Sequence, residues 1–197
     1  MNMDERLLQY YLNLRSPEAG EWNSSPACLY TELATRDYVR TAFEVKDGLQ
    51  VCNVGIGTGD WDDYLGYWLN GKGCLTSIDI DRDLCDLFAY RQKREGHPNP
   101  SRVVCESIFE TSMSDGQFDL VTLIGSTARD SGDVHKCLDS CINLLKQDGA
   151  LMFMSRLKNN AQGLLEQYID HSGHKLERMQ RYEVYPEYPF FICTIRK

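Results

Sequence analysis

The chain has 197 residues, 42% of them apolar and 25% charged, which suits one ordinary domain large enough to bury a core without metal or disulfide staples. Its formal charge of -8 at pH 7 argues against a nucleic-acid partner, because duplex or tRNA binding draws on a basic surface to displace counterions. No apolar run approaches the length of a membrane span, and the opening MNMDERLLQYY has no basic segment followed by an apolar one, so a soluble, cytoplasmic protein is expected.

Residues 1–46 precede the first strand pattern. Leu7, Leu8, Tyr11 and Leu12, with Asp4 and Arg6 opposite, describe a short amphipathic helix. The run SPEAGEWNSSPAC, residues 16–28, reads as a loop rich in Pro, Ser and Gly, and a second helix is expected from Leu29 to Phe43. The aromatics Tyr10, Tyr11, Trp22, Tyr30, Tyr38 and Phe43 crowd this segment. It reads either as a lid that closes aromatic faces over a ligand or as helices packed on a sheet edge.

The chain is organised around VCNVGIGTGDWDDYL, from Val51 to Leu65. A short apolar run ends in glycines at alternate positions, Gly55, Gly57 and Gly59. Trp61, Tyr64, Leu65, Trp68 and Leu69 then recur at helical spacing. Strand, tight turn and helix follow one another. Without Cβ atoms a ligand can approach the turn's backbone, and the free amides that open the helix favour polar or anionic groups. A dinucleotide fingerprint wants its third glycine where Asp60 stands, and the G-K-[ST] of a phosphate-binding P-loop is absent. The acidic first turn, Asp60, Asp62 and Asp63, repels phosphates and suits a cationic ligand.

LTSIDID, Leu75 to Asp81, forms a second strand that ends at Asp79, where an α/β unit places an acid against a ribose. A helix from Asp81 to Arg94 carries Leu84, Leu87, Phe88 and Arg91 on one face, and GHPNPS stops it. SRVVCES is a short third strand, IFETSMSDGQ a connection, and FDLVTLIGS a fourth strand ending near Ile124, Gly125 and Ser126. A helix from Gly132 to Lys146, then LKQDGALMFMSR, a turn leading into the fifth strand, a helix from Asn160 to His171 and a hairpin, Glu177 to Tyr185 and Phe190 to Arg196 joined at PEYP, complete the chain. Most of the eight cysteines lie inside apolar patterns and none forms C-x-x-C, which reads as buried free thiols without metal.

From about Val51 onward the chain resembles a class I S-adenosylmethionine-dependent methyltransferase. The resemblance implies an α/β Rossmann-like sheet of seven strands with helices on both faces, the last strand antiparallel, and residues 1–46 as an N-terminal helical lid on a cofactor-binding domain at 47–197. It implies that Gly55, Gly57 and Gly59 hold the methionine end of S-adenosyl-L-methionine and that Asp79, followed by Ile80, takes the ribose hydroxyls. The family usually carries an acid two residues before the first glycine; here Asn53 offers a hydrogen bond without charge. The position that meets the adenine amine falls on Ser107 beside Glu106, with either as the contact and Ile108 as the residue packing on the ring. Ile124 ends the strand that faces the methyl acceptor. The [ND]-P-P-[YF] of base and glutamine-amide methyltransferases is replaced by IGST.

Methyl transfer is an in-line displacement that asks mainly for alignment, and an amine acceptor must be neutral when it attacks. His135, opening the helix after the fourth strand, is the candidate base. Tyr11, Tyr30 and Tyr38 are placed to orient an acceptor, and Arg156, after the fifth strand, to bind a substrate carboxylate. The expected activity is methylation of a small molecule, with nitrogen slightly favoured over oxygen as the acceptor; the alternative is a catalytically weak or inactive methyltransferase-like binding or partner protein. An NAD-dependent oxidoreductase is disfavoured by Asp60.

Overall fold

The computed structural model of the protein describes residues 1–158 and 160–197. Three helices lead the chain, α1 (Met3–Asn13), α2 (Pro17–Asn23) and α3 (Pro26–Ala42). Most of the stretch expected as a loop is therefore helical. Ser16 and Ser25 each accept a bond from the amide three residues on, Ala19 and Cys28, and the prolines that follow them sit at the first helical position, where a missing N–H is harmless. Ser-Pro acts here as a helix start.

Strand and helix then alternate: β1 (Leu49–Val54), α4 (Asp60–Leu69), β2 (Gly73–Asp79), α5 (Arg82–Glu95), β3 (Arg102–Cys105), a 3-10 turn at Ile108–Glu110 and β4 (Phe118–Ile124). A short α6 (Thr127–Asp130), α7 (Val134–Asn143), β5 (Leu145–Arg156), α8 (Ala161–Ser172), β6 (Lys175–Tyr182) and β7 (Phe190–Arg196) follow. The seven strands form one sheet in the order β3-β2-β1-β4-β5-β7-β6. Neighbours from β3 to β5 are parallel, and β7 runs antiparallel to both β5 and β6, the Rossmann-like arrangement the resemblance implied.

The pleat sorts the core into two layers. Val51, Leu75, Leu120, Met152, Met154 and Ile192 face α3 and α4, while Cys52, Ile78, Val121, Phe153, Phe191 and Cys193 face α7 and α8. Both faces are covered, so the central strands read as almost continuous apolar runs. The order reverses between β1 and β4, and at that switch point the carboxyl ends of the strands leave a crevice. Six cysteines are buried, Cys105 is partly covered and Cys74 is exposed. No helix among the described residues is long and apolar enough to cross a membrane.

Candidate active site

β1 hands the chain to α4 through three glycines in left-handed conformation, with φ of 87° at Gly55, 55° at Gly57 and 78° at Gly59. Each has a different surrounding. A Cβ on Gly55 would fall on the Thr127 side chain, and one on Gly59 would stand 2.6 Å from the Phe88 ring and 2.7 Å from the Arg91 guanidinium. A Cβ on Gly57 would meet nothing within 4 Å, because it would project into open space. Among the described residues the amides of Gly57 and Thr58 have no internal acceptor, so they are available to a ligand.

The turn is pinned from beneath. Arg91, only 4% exposed, donates to the Thr58 carbonyl at 2.9 Å and to Asp63 at 2.5 Å. From α1 the Tyr10 hydroxyl donates to the same carbonyl at 2.6 Å. Opposite the turn, the Asp79 carboxylate accepts the amides of Ile56 at 2.8 Å and Asp81 at 3.0 Å, which fixes its orientation before any ligand arrives.

Between these parts lies a cleft of about 450 Å³, within the usual range for small-molecule sites. Gly55, Gly57 and Asp79 line it at the ends of β1 and β2, and Ile80, Ile108 and Phe109 give it apolar sides. Ile80 is 74% exposed, a large apolar side chain at the cleft mouth. Glu106 and Ser107 also line it. Glu106 accepts from Ser112 through amide and hydroxyl, both at 2.7 Å, and from the Thr111 hydroxyl at 2.9 Å, which hold its carboxyl below the usual range. Ser107 caps the 3-10 turn by accepting the Phe109 amide at 3.2 Å. The far wall, Ser126, Thr127, Asp130 and Ser131, comes from α6 and its two flanking residues after β4.

Several expected site residues lie elsewhere. Asn53 is fully buried: its Nδ2 donates to both Asp62 oxygens and to the Gly55 carbonyl, each at 3.0 Å, while its Oδ1 accepts the Thr122 hydroxyl at 2.8 Å. With its polar atoms engaged below the turn, it is a positioning residue rather than part of the cleft wall. Asp62 is buried with it, receives a further bond from Ser77, and is pushed up to about 7 by burial against the pull of those donors. Ile124 is half-buried and packs on the α3–α4 layer. Gly59 backs onto α5.

The three catalytic candidates are not together. His135 sits at the edge of α8, its Nε2 donating to the Leu164 carbonyl at 3.1 Å and its ring 5.6 Å from that of Tyr168. This histidine is turned toward α8 and is not among the cleft-lining residues. Tyr11 donates to Glu95 at the end of α5. Tyr30 belongs to an aromatic group with Tyr182, Tyr185 and Phe190, centroids 5.7 to 6.3 Å apart, and Tyr38 is buried with its hydroxyl 2.8 Å from that of Thr194. Sequence reasoning passed over Thr127 and Ser131, and it grouped Tyr10 with the lid aromatics without giving it a role at the glycine turn. Arg91 had a legible signal, an arginine inside the apolar face of α5.

A parallel sheet with a crevice at its switch point, a bare turn after β1 and an oriented acid after β2 define a nucleoside-binding α/β protein. A family profile described as a methyltransferase domain matches residues 51–149, half of the chain, and the chain belongs to that family. It is accordingly an S-adenosylmethionine-dependent methyltransferase. No curated protein matches it in sequence.

Solved structures share the fold. A SAM-dependent methyltransferase from Aquifex aeolicus aligns with a TM-score of 0.70 at 16% identity over 96% of this chain and 97% of its own. The [4+2]-cyclase SpnF aligns with a TM-score of 0.70 at 15% identity, covering 83% of this chain and 80% of its own. A putative rRNA-methylase from Clostridium thermocellum aligns with a TM-score of 0.64 at 14% identity, covering 84% and 95%.

The residues present fit S-adenosylmethionine. Open space over Gly57 and its unpaired amide, a preset carboxylate at Asp79 and the apolar pair Ile80 and Ile108 stand around one cleft, the unpaired Thr58 amide follows in the same turn, and none of the described residues fills the cleft.

Proposed function

We propose that this protein methylates a small-molecule acceptor, on nitrogen in preference to oxygen. The observation that carries this reading is the open cleft bounded by Gly57 and Asp79 at the carboxyl edge of β1 and β2. When bound, S-adenosylmethionine supplies a methyl group activated by a sulfonium. Asp79 and the amides of Gly57 and Thr58 orient it, while Ile80 and Ile108 keep water from the adenosine side. Of the three acids in the first turn of α4, Asp62 is buried and Asp63 is paired with Arg91, so it is the exposed Asp60 that favours a cationic cofactor and an amine-bearing acceptor.

No inserted domain stands between the strands, so the acceptor side is built from the N-terminal helices and short loops, a scale that suits a small molecule. The net charge of -8 weighs against an RNA acceptor. Since His135 is engaged with α8, an amine acceptor loses its proton through its own desolvation rather than to a histidine. Calorimetric titration with S-adenosylmethionine and S-adenosylhomocysteine, followed by transfer of a labelled methyl group to matched amines and alcohols, tests the proposal. Binding of both nucleosides with labelled amines is expected. Binding without transfer to any acceptor class would favour the partner-protein reading, and label on alcohols alone would overturn the preference for nitrogen.

A further inference from the structure

Arg156 ends β5 on the α3–α4 side of the sheet. Met152 and Met154, which precede it at the period of the pleat, belong to the core layer on that face, and Arg156 itself is in register with Phe190. Its guanidinium carbon stands 4.6 Å from the ring centroid of Trp22 and 5.0 Å from that of Tyr188, and the two rings lie 4.7 Å apart. Three distant segments thus meet, α2, the end of β5 and the loop between β6 and β7. A bond from the Leu157 amide to the Pro189 carbonyl at 2.9 Å holds the last two together.

A guanidinium meets aromatic rings with its flat face, whereas its N–H donors point outward in its own plane. Stacking therefore leaves the donors unspent. Among the described residues none of them has an acceptor and no carboxylate pairs with the cation, although the chain has 29 acidic residues against 21 basic ones. Arg129, in the loop after β4, is by contrast paired with Asp130 at 2.9 Å. A half-covered cation without an anion is compensated by the two rings alone, which leaves its N–H donors open to a partner. Lys158, 5.6 Å from the Tyr188 ring, adds a second cation at the rim.

The position is next to the reacting end of the cleft. Ile124 and Met154 are register partners, so Arg156 comes level with the Gly125–Ser126 turn, and Ser126 lines the cleft.

We propose that Arg156, seated against Trp22 and Tyr188, anchors an oxyanion of the methyl acceptor, a carboxylate or a phosphate, and so selects small acidic molecules. The idea rests on the methyl-transfer reading above, and the two are separable. Benzoate, phenyl phosphate, benzamide and a random single-stranded oligonucleotide are titrated into the protein saturated with S-adenosylhomocysteine, whose own affinity is measured first. Benzoate or phenyl phosphate is expected to bind at least about tenfold more tightly than benzamide, a difference lost in Arg156→Gln. Which of the two binds better tells carboxylate from phosphate. Arg156→Lys keeps the charge but not the planar fork and is expected to retain part of the preference, which keeps the test valid if the glutamine variant does not fold. Equal binding of benzamide, no anion binding up to millimolar concentration, anion binding indifferent to both substitutions, or binding of the oligonucleotide through Arg156 would overturn the proposal. Unchanged S-adenosylhomocysteine affinity in both variants is expected. Its failure to bind the unsubstituted protein would strike the methyl-transfer reading instead.

Discussion

At the scale of single residues, the glycine turn separates two duties that look alike in sequence. Gly55 and Gly57 both have positive φ, so an alanine at either is strained by about 1–2 kcal/mol. Only Gly55 also faces Thr127, whereas Gly57 faces the cleft. Gly55→Ala is therefore expected to lower the melting temperature more than Gly57→Ala, while Gly57→Ala takes the larger share of the loss in S-adenosylmethionine affinity; thermal melts and calorimetry on the two variants read this directly. Asp79 has a double role as well, since it both faces the cleft and accepts the Ile56 amide. Asp79→Ala should weaken S-adenosylmethionine binding by roughly 1.5–3 kcal/mol, the range for a bond to a charged group. Asp79→Asn retains an acceptor for Ile56, so it separates the two roles: an affinity as high as the unsubstituted protein's would count against the carboxylate as the ribose ligand.

At the scale of elements, α1 and α3 are attached by different forces. α1 buries only Leu7, and it holds α5 through Arg6 with Asp83 at 3.2 Å, Asp4 with Arg94 at 3.1 Å and Tyr90 with Asp4 at 2.6 Å. These are exposed polar contacts of small worth that salt screens. α3 instead inserts Tyr38 and Val39 into the core layer with α4. A lid is drawn from the weakly held part of a structure, which points to α1 rather than to the whole of residues 1–46. Hydrogen exchange should show α1 amides exchanging faster as salt is raised from about 0.05 to 0.5 M, with α3 unchanged. Tyr10→Phe should speed exchange at Gly59, whose amide donates to the Ile56 carbonyl at 2.9 Å across the turn, because it removes a bond to the Thr58 carbonyl worth about 0.5–1.5 kcal/mol. Equal salt response in α1 and α3 would remove the basis for a separate lid.

At the scale of the whole molecule, what could be read from the sequence was what short range determines. The bare turn, the acid ending β2 and the alternation of strand and helix each depend on residues adjacent in the chain, so their positions were legible. The fates of His135, Asn53 and Arg156 depend on partners brought in from elsewhere: α8 for the histidine, Asp62 and Thr122 for the amide, and Trp22 with Tyr188 for the arginine. Ser-Pro was ambiguous because the same pair opens turns and helices. The Asn53–Asp62 pair also has a global consequence, because a carboxyl raised to about 7 is an ionisable group that folding disfavours in its charged form. Below the ordinary value of 3.8 it is protonated in both states and has no effect. Between there and about 7 the unfolded chain releases the proton while the folded one keeps it, so this group's contribution to stability falls as pH rises, and above about 7 the loss is complete. Other carboxyls move in both directions, Asp63 upward and Glu106 and Asp130 downward, so the quantity to measure is the difference between the protein and Asp62→Asn. The amide still offers an oxygen to Asn53, and the Ser77 hydroxyl can turn to accept. Denaturant unfolding of both from pH 4 to 8 should show the variant gaining stability relative to the parent by a few kcal/mol across that window. A difference that stays flat with pH would mean that Asp62 is ionised in the folded protein and that Asn53 and Ser77 stabilise its charge fully.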